Sequence, residues 1–293
     1  MKHPASRDSI YLEDAVVLNH EAFEGEQYLL RLQAPEIAHK ALAGSFVHLR
    51  CSDALAMRRP MSIMRTHKKQ GWIDILYKRH GQGTDLLSKS LAGESISLLG
   101  PIGQPFKQTE YRKRHLLIGG GVGIPPMVFL SEHITKTAKT ISPFVIMGSE
   151  VPFPFTPVPS QIIISGISDG AIAAMPLLED WGIASRLSTL QGYPGCFDGY
   201  VTDLARKWLD SMDSSEHENV EIFSCGPTPM LRAVAQLARE YALPCQVSLE
   251  EYMACAVGGC AACVVKMETP DGPAMKRVCV DGPVFEASSV FPQ

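Results

Sequence analysis

The sequence has no long apolar run. None of its 293 residues falls in a stretch approaching the ~18 apolar positions of a membrane helix, and the opening MKHPASRDSIYLED holds no apolar signal-peptide core. A cytoplasmic chain is expected. A basic surplus is missing too: 27 Lys and Arg stand against 31 Asp and Glu, a net charge of −4, which argues against a nucleic-acid partner. There is no internal repeat, no low-complexity tract and no series of strand-helix units of the kind that builds a TIM barrel. With 45% hydrophobic residues, the chain suits two or three small domains of an enzyme or electron carrier.

Cysteine is present in an informative order. Of eight cysteines, Cys51, Cys196, Cys225 and Cys245 are scattered singly, and the first, second and fourth of these read as small buried residues. The other four, Cys255, Cys260, Cys263 and Cys279, follow C-x4-C-x2-C with the last cysteine after fifteen further residues. That is the spacing of a plant-type [2Fe-2S] site. Ala256, Gly258, Gly259, Ala261 and Ala262 leave room for backbone N–H groups to approach the cluster sulfurs. A β-type run at 264–267, turn chemistry in Thr269-Pro270-Asp271-Gly272-Pro273 and a return at 276–280 predict a hairpin that carries Cys279 back to the first three. A structural zinc site is the alternative, although zinc favours C-x2-C pairs in two similar halves and here one glycine-lined loop supplies three ligands.

The first 108 residues read as β-rich, with short runs at 15–18, 28–32, 46–49, 73–77 and 96–99 separated by Gly, Pro and polar clusters. A small antiparallel barrel is expected. From His115 the character changes. An apolar strand at 115–118 enters Gly119-Gly120-Gly121-Val122-Gly123-Ile124-Pro125-Pro126 and a helix to about Thr137, the order of a phosphate-cradling nucleotide site. Strands are expected at 143–147, 162–165 and 220–224, and helices at 201–209 and 229–241. Ser224-Cys225-Gly226-Pro227-Thr228-Pro229-Met230 ends one of those strands and opens a helix. In a mostly parallel α/β sheet both loops fall beyond the carboxyl ends of their strands, on one edge.

RRPMSI at 58–63, GQGT at 81–84, GPIG at 100–103, GGGVGIPP at 119–126 and CGPTPML at 225–231 together resemble the ferredoxin-NADP reductase superfamily. With the cysteine tail and VCVDGPVF, residues 10–285 resemble the electron-transfer subunits of dihydroorotate dehydrogenase. The resemblance implies an FAD-binding β-barrel over 1–108, a Rossmann-like NAD(P) domain over 109–245 and a [2Fe-2S] module over 246–293. It places Arg59, Pro60, Met61 and Ser62 at flavin and phosphate, and Leu76, Tyr77 and Lys78 on the strand beside the flavin. Gly83 and Thr84 then open a pyrophosphate-binding helix. Gly119, Gly120, Gly121 and Gly123, with Cys225, Gly226 and Pro227, become the nicotinamide-nucleotide edge. Ala256 stands where relatives carry Gly. Leu190-Gln191-Gly192 lacks the acidic pair many relatives show there, and no arginine cluster awaits a 2′-phosphate, which favours NAD(H) over NADP(H).

The expected activity is that of an oxidoreductase component. A nicotinamide releases two electrons together and a [2Fe-2S] cluster takes one, so a flavin must stand between them. No general base is demanded, and His48, His67, His80, His115, His133 and His217 are isolated in the sequence. The implied partner is a catalytic dihydroorotate dehydrogenase subunit in pyrimidine synthesis, in a heterotetramer. The alternatives are a reductase serving ferredoxin or another small acceptor, and a zinc-stabilised nucleotide sensor.

Overall fold

The computed structural model describes residues 10–109, 111–138 and 140–292. The chain separates into two units, one holding residues up to Pro105 with Leu249–Val284, the other Phe106–Ser248 with residues from Phe285 onward.

Seven strands build the main sheet of the first unit: β1 (Tyr11–Phe23), β2 (Gln27–Gln33), β3 (Phe46–Leu49), β4 (Arg59–Ser62), β5 (Arg65–His67), β6 (Trp72–Lys78) and β7 (Ser95–Ile102). Period-2 alternation sets the faces of β1, whereas β3 and most of β6 are buried on both sides. On β1, Ala15 and Val17 are buried while Leu12 and Val16 are exposed. All pair antiparallel in the order β4-β3-β7-β1-β2-β6-β5. The sheet curls until its ends meet, the N–H of Met64 just past β4 donating to Asp74 O on β6 at 2.8 Å. Cross-strand partners Leu30 with Ile75 and Leu32 with Ile73 are fully buried, each contributing on the order of 1.5–3 kcal/mol by leaving water. Helix α1 (Pro35–Lys40) adds Ile37 and Ala38 to this core, and α2 (Gly81–Leu87) follows β6. One buried charge is fully matched: Asp74, 1% exposed, accepts from Arg31 Nε at 2.7 Å and Nη2 at 2.9 Å, with the guanidinium lying over Trp72.

The second unit is a parallel sheet. Strands β8 (Arg114–Gly120), β9 (Ser142–Gly148), β10 (Val158–Pro159), β11 (Ala173–Ala174), β12 (Ala184–Thr189), β13 (Phe197–Asp198), β14 (Val220–Cys225) and β15 (Cys245–Ser248) follow in sequence. Six of them form the core order β13-β12-β9-β8-β14-β15, while β10 and β11 make a separate two-stranded piece. Helix α3 (Ile124–Thr137) starts on two prolines, whose missing N–H groups cost nothing in a first turn. After α4 (Pro176–Asp180), α5 (Val201–Asp210) buries Val201, Leu204, Ala205, Trp208 and Leu209, the spacing of one helical face. Helix α6 (Thr228–Glu240) follows β14 and buries Leu231, Val234, Ala235 and Ala238 in the same manner. The chain leaves β8 in one direction along the sheet and β14 in the other, so the strand order reverses between these two neighbours.

One expected strand is absent. Residues 162–165 form no strand, and Ile163 is 94% exposed. A parallel return from β9 needs a covering crossover, and no helix lies between β9 and that segment. The place beside β9 is taken by β12, whose Ser185, Arg186 and Ser188 hide it from an apolar-run search yet are buried and bonded: Ser188 Oγ donates to Gly199 O at 2.6 Å. Among the described residues no helix is long and apolar enough to cross a membrane.

The reversal point depends on one glycine. A Cβ on Gly123 would sit 2.2 Å from the carbonyl oxygen of Cys225, and that oxygen is backbone that cannot swing aside. Gly123→Ala should therefore lower stability by about 1–3 kcal/mol, whereas Gly170→Ala, with nothing within 4 Å, should leave it unchanged. Thermal unfolding of the two variants checks this, and equal melting temperatures would contradict it.

Candidate functional site

The cysteine loop lies in the first unit. Strands β16 (Val264–Thr269) and β17 (Gly272–Arg277) pair from Val264 with Arg277 to Thr269 with Gly272, and Gly272 takes φ 103° at the turn, a torsion open to glycine. The returning chain is locked to the first ligands, Val278 N–H donating to Cys263 O at 3.0 Å and Cys279 N–H to Cys263 Sγ at 3.4 Å. The hairpin thus delivers Cys279 as the sequence predicts.

The four thiols fall into two pairs. Cys260 acts most directly on the Cys255 thiol, and Cys263 on the Cys279 thiol. A binuclear [2Fe-2S] core takes two thiolates on each iron, whereas zinc takes all four on one. Two-and-two therefore fits the cluster. Backbone donors complete the fit: Gly259 N–H reaches Cys255 Sγ at 3.3 Å, and the N–H of Gly258 reaches Cys279. Burial pushes the Cys255 thiol up, but the N–H groups of Val257, Cys260 and Gly259 with the Cys260 side chain outweigh it and bring the thiol down to about 7. Cys279 goes the other way. Burial and the neighbouring Cys263 push it up to about 12. Cys263 and Cys279 are buried, Cys255 half-buried and Cys260 exposed, so one edge of the site reaches the surface.

The loop is shaped by left-handed torsions at Gly258, φ 80°, and at Ala256 and Ala261, both φ 55°. Alanine in this region is unusual, and the Ala256 that departs from the family pattern sits at one of those two points. A side chain not anticipated as part of the site also touches it: Arg277 Nη1 donates to Gly258 O at 3.1 Å.

A second group of expected residues gathers around Arg59. Strand β4 places Arg59, Pro60, Met61 and Ser62 on the edge of the curled sheet, paired with Leu49, His48, Val47 and Phe46. The Arg59 guanidinium lies on Gly83, where a Cβ would be 3.0 Å from Nε and would push the cation aside by a few tenths of an ångström, and its Nη1 donates to Met57 O at 3.0 Å and Arg58 O at 3.1 Å. Thr84 is present but its hydroxyl is occupied, donating to His80 O at 2.8 Å and accepting from His80 N–H at 2.6 Å. Any ligand contact from Thr84 is left to its backbone. Tyr77 is turned inward, stacked on Tyr28 at 5.3 Å with its hydroxyl bonded to His20, while Lys78 is exposed. On this unit a cleft of about 570 Å³ is lined by Asp14, Arg50, Cys51, Ser52, Lys89 and Ser97. It contains none of the expected residues, but Leu86 of α2 lines it and Cys51 feels the Arg59 charge.

The third group occupies the reversal point of the parallel sheet. Gly119 and Gly120 end β8, Gly121 takes φ 53° and Gly123 leads into α3. Gly226 and Pro227 link β14 to α6 and meet this loop directly: a Cβ on Gly120 would be 3.3 Å from Pro227 Cδ, and one on Gly226 would be 3.2 Å from Gly120 N. Cys225 is 1% exposed, with its carbonyl against Gly123. The Met230 side chain packs against both loops, 2.5 Å from a Cβ on Gly120 and on Gly226, so the two glycines make room for it as well as for each other at strand ends where a pyrophosphate can be cradled.

Residues 250–291 match the family described as the iron-sulfur cluster binding domain of dihydroorotate dehydrogenase B. A curated relative from Bacillus cereus, the electron transfer subunit of dihydroorotate dehydrogenase B (NAD(+)), is 31% identical over 95% of this chain and 98% of its own length. Among solved structures, that of an NADH-dependent reduced ferredoxin-NADP oxidoreductase superposes with a TM-score of 0.75 at 22% identity, over 95% of this chain and 90% of that one. The ferredoxin reductase of carbazole 1,9a-dioxygenase gives a TM-score of 0.62 at 17% identity, over 80% of this chain and 67% of that one. These two show a shared fold.

Replacing Cys260 by Ser should remove iron and labile sulfide while the protein stays folded, because the residue is an exposed ligand on a loop outside both sheets. Full iron and sulfide in the variant, measured against circular dichroism of both proteins, would refute the ligand assignment.

Proposed function

We infer function from a fixed premise: this chain belongs to the family of electron transfer subunits of dihydroorotate dehydrogenase B. It is an oxidoreductase component that moves electrons between NAD(H), FAD and a [2Fe-2S] cluster, to or from a catalytic subunit that interconverts dihydroorotate and orotate. The observation that carries this reading is the set of backbone N–H groups turned onto the thiols, Gly259 onto Cys255 Sγ at 3.3 Å and Cys279 onto Cys263 Sγ at 3.4 Å, on a loop held in one unit with the curled sheet. When bound, the nicotinamide handles two electrons at once, the cluster one, and the flavin converts between them.

The cofactors divide the chain as 1–108 for FAD, 109–245 for NAD(H) and 246–293 for the cluster. Arg59, held across Gly83, offers guanidinium donors to a flavin phosphate, and the backbone of β4 and of Leu76, Tyr77 and Lys78 flanks the ring. The neighbouring cleft of about 570 Å³ carries both signs of charge, Arg50 and Lys89 beside Asp14, Asp53 and Glu94. Gly119, Gly120, Gly121 and Gly123 with Cys225, Gly226 and Pro227 receive the pyrophosphate of NAD(H). Arg186 is the only cation on β12, and it is buried, donating to Ser185 O and Ile162 O rather than waiting for a 2′-phosphate. That supports NAD(H) over NADP(H). Cys255, Cys260, Cys263 and Cys279 hold the cluster, and its exposed Cys260 edge faces a catalytic partner in a heterotetramer. A cytoplasmic setting, where thiols stay reduced, suits a cluster held by four thiolates.

Removing a bidentate phosphate partner by Arg59→Ala should weaken FAD binding by about 1.5–3 kcal/mol. Flavin should then be lost on gel filtration, and retention equal to wild type would place Arg59 outside the site. The purified chain should oxidise NADH with artificial acceptors and leave dihydroorotate untouched, because neither sheet is a strand-helix barrel that could house a second flavin centre. Reduction of an added acceptor with dihydroorotate as sole donor would end the accessory-subunit reading.

A further inference from the structure

We propose that Arg277 sets the reduction potential of the cluster, acting on its thiolates through one peptide unit. The inference rests on the cluster reading above.

Arg277 closes β17 and turns its guanidinium toward the cysteine loop. Asp281 holds it there, accepting from the Arg277 backbone N–H at 2.8 Å and from Nε at 3.2 Å. Nη1 then donates to Gly258 O at 3.1 Å. The carbonyl of Gly258 and the N–H of Gly259 belong to the same peptide group, and that N–H donates to Cys255 Sγ at 3.3 Å. A continuous series runs from guanidinium to carbonyl, across the peptide, and from N–H to sulfur. A cationic donor on the oxygen polarises the peptide and makes its N–H a stronger donor to the sulfur.

The guanidinium also interacts electrostatically with Cys279 and Cys263. One side chain therefore addresses both thiol pairs, the Cys255 pair through the peptide and the Cys263 pair through space. Reduction adds one negative charge to the cluster, and both effects stabilise that state and raise the potential. The Arg277 side chain is 40% exposed, so solvent screens the through-space part and the peptide route carries more of the effect. The geometry asks for arginine in particular. Its planar fork serves Asp281 and Gly258 O together, whereas a lysine ammonium is a point charge without that fixed span.

The test compares wild type with R277Q and R277K in the full chain. Iron and labile sulfide are measured first, then the cluster midpoint potential by a titration followed by electron paramagnetic resonance. In R277Q the oxidised-to-reduced ratio at a fixed potential should rise about tenfold, equivalent to 59 mV at one electron. R277K should move the same way by less. A potential unchanged within twofold in both variants overturns the proposal. If R277Q assembles no cluster, R277K decides by the same criterion. Wild type without iron and sulfide would overturn the cluster reading itself, and this one with it.

Discussion

An anion taken out of water needs hydrogen-bond donors in its place, and this chain supplies them from its backbone. Around the cysteines the donors are the N–H groups of Gly258, Gly259 and their neighbours. At the reversal point of the parallel sheet they are presented by two glycine loops, close enough that a methyl group on Gly123 would collide with Cys225. The loop residues themselves are mostly glycine and alanine, which lets backbone come close to a ligand or, at Gly120 and Gly226, to the Met230 side chain. The long cations come from a distance: Arg59 crosses Gly83, and Arg277 reaches Gly258 from the neighbouring hairpin. Chemistry that an acid or base would dominate in many enzymes is here delegated to peptide groups.

The cysteine segment is anchored to the curled sheet despite being nearly 150 residues away in sequence from the end of β7. Gln104, just past β7, donates its N–H to Gly282 O at 2.6 Å and its side-chain amide to Val280 O at 3.2 Å. Leu249 N–H donates to Pro283 O at 2.9 Å, closing the segment at its own ends. Arg59 and the cluster cysteines therefore share one compact unit. A division by cofactor and a division by compactness run along different lines, and only the second depends on which backbones bond.

Much of this was legible in the sequence, for reasons that differ by residue. Short apolar and partly alternating runs marked β2, β3, β6, β7 and the middle of β1, and the turn residues around Asp271 predicted the return of Cys279. The glycine loops were readable because close backbone approach leaves few residue choices. Strand β12 was hidden: its buried serines and Arg186 find their partners only after folding, so no apolar run marks it. The isoleucines at 162–164 misled for the converse reason, since β-branched residues on a loop look like a strand until neighbours are known. The occupied Thr84 hydroxyl, the inward Tyr77 ring and the reach of Arg277 are three-dimensional facts without a sequence signal.

Ala256 and Ala261 hold left-handed torsions that cost a non-glycine residue about 1–2 kcal/mol each. The loop's own hydrogen bonds, Gly259 N–H to Cys255 Sγ and Arg277 Nη1 to Gly258 O, offset part of that cost, and four sulfur-iron bonds would offset the rest. Loop folding and metal insertion thus form one equilibrium, and some intrinsic affinity for the cluster goes into bending two alanines. Glycine at either position would relax that coupling. With alanine there, local order along 255–263 becomes a gauge of iron supply.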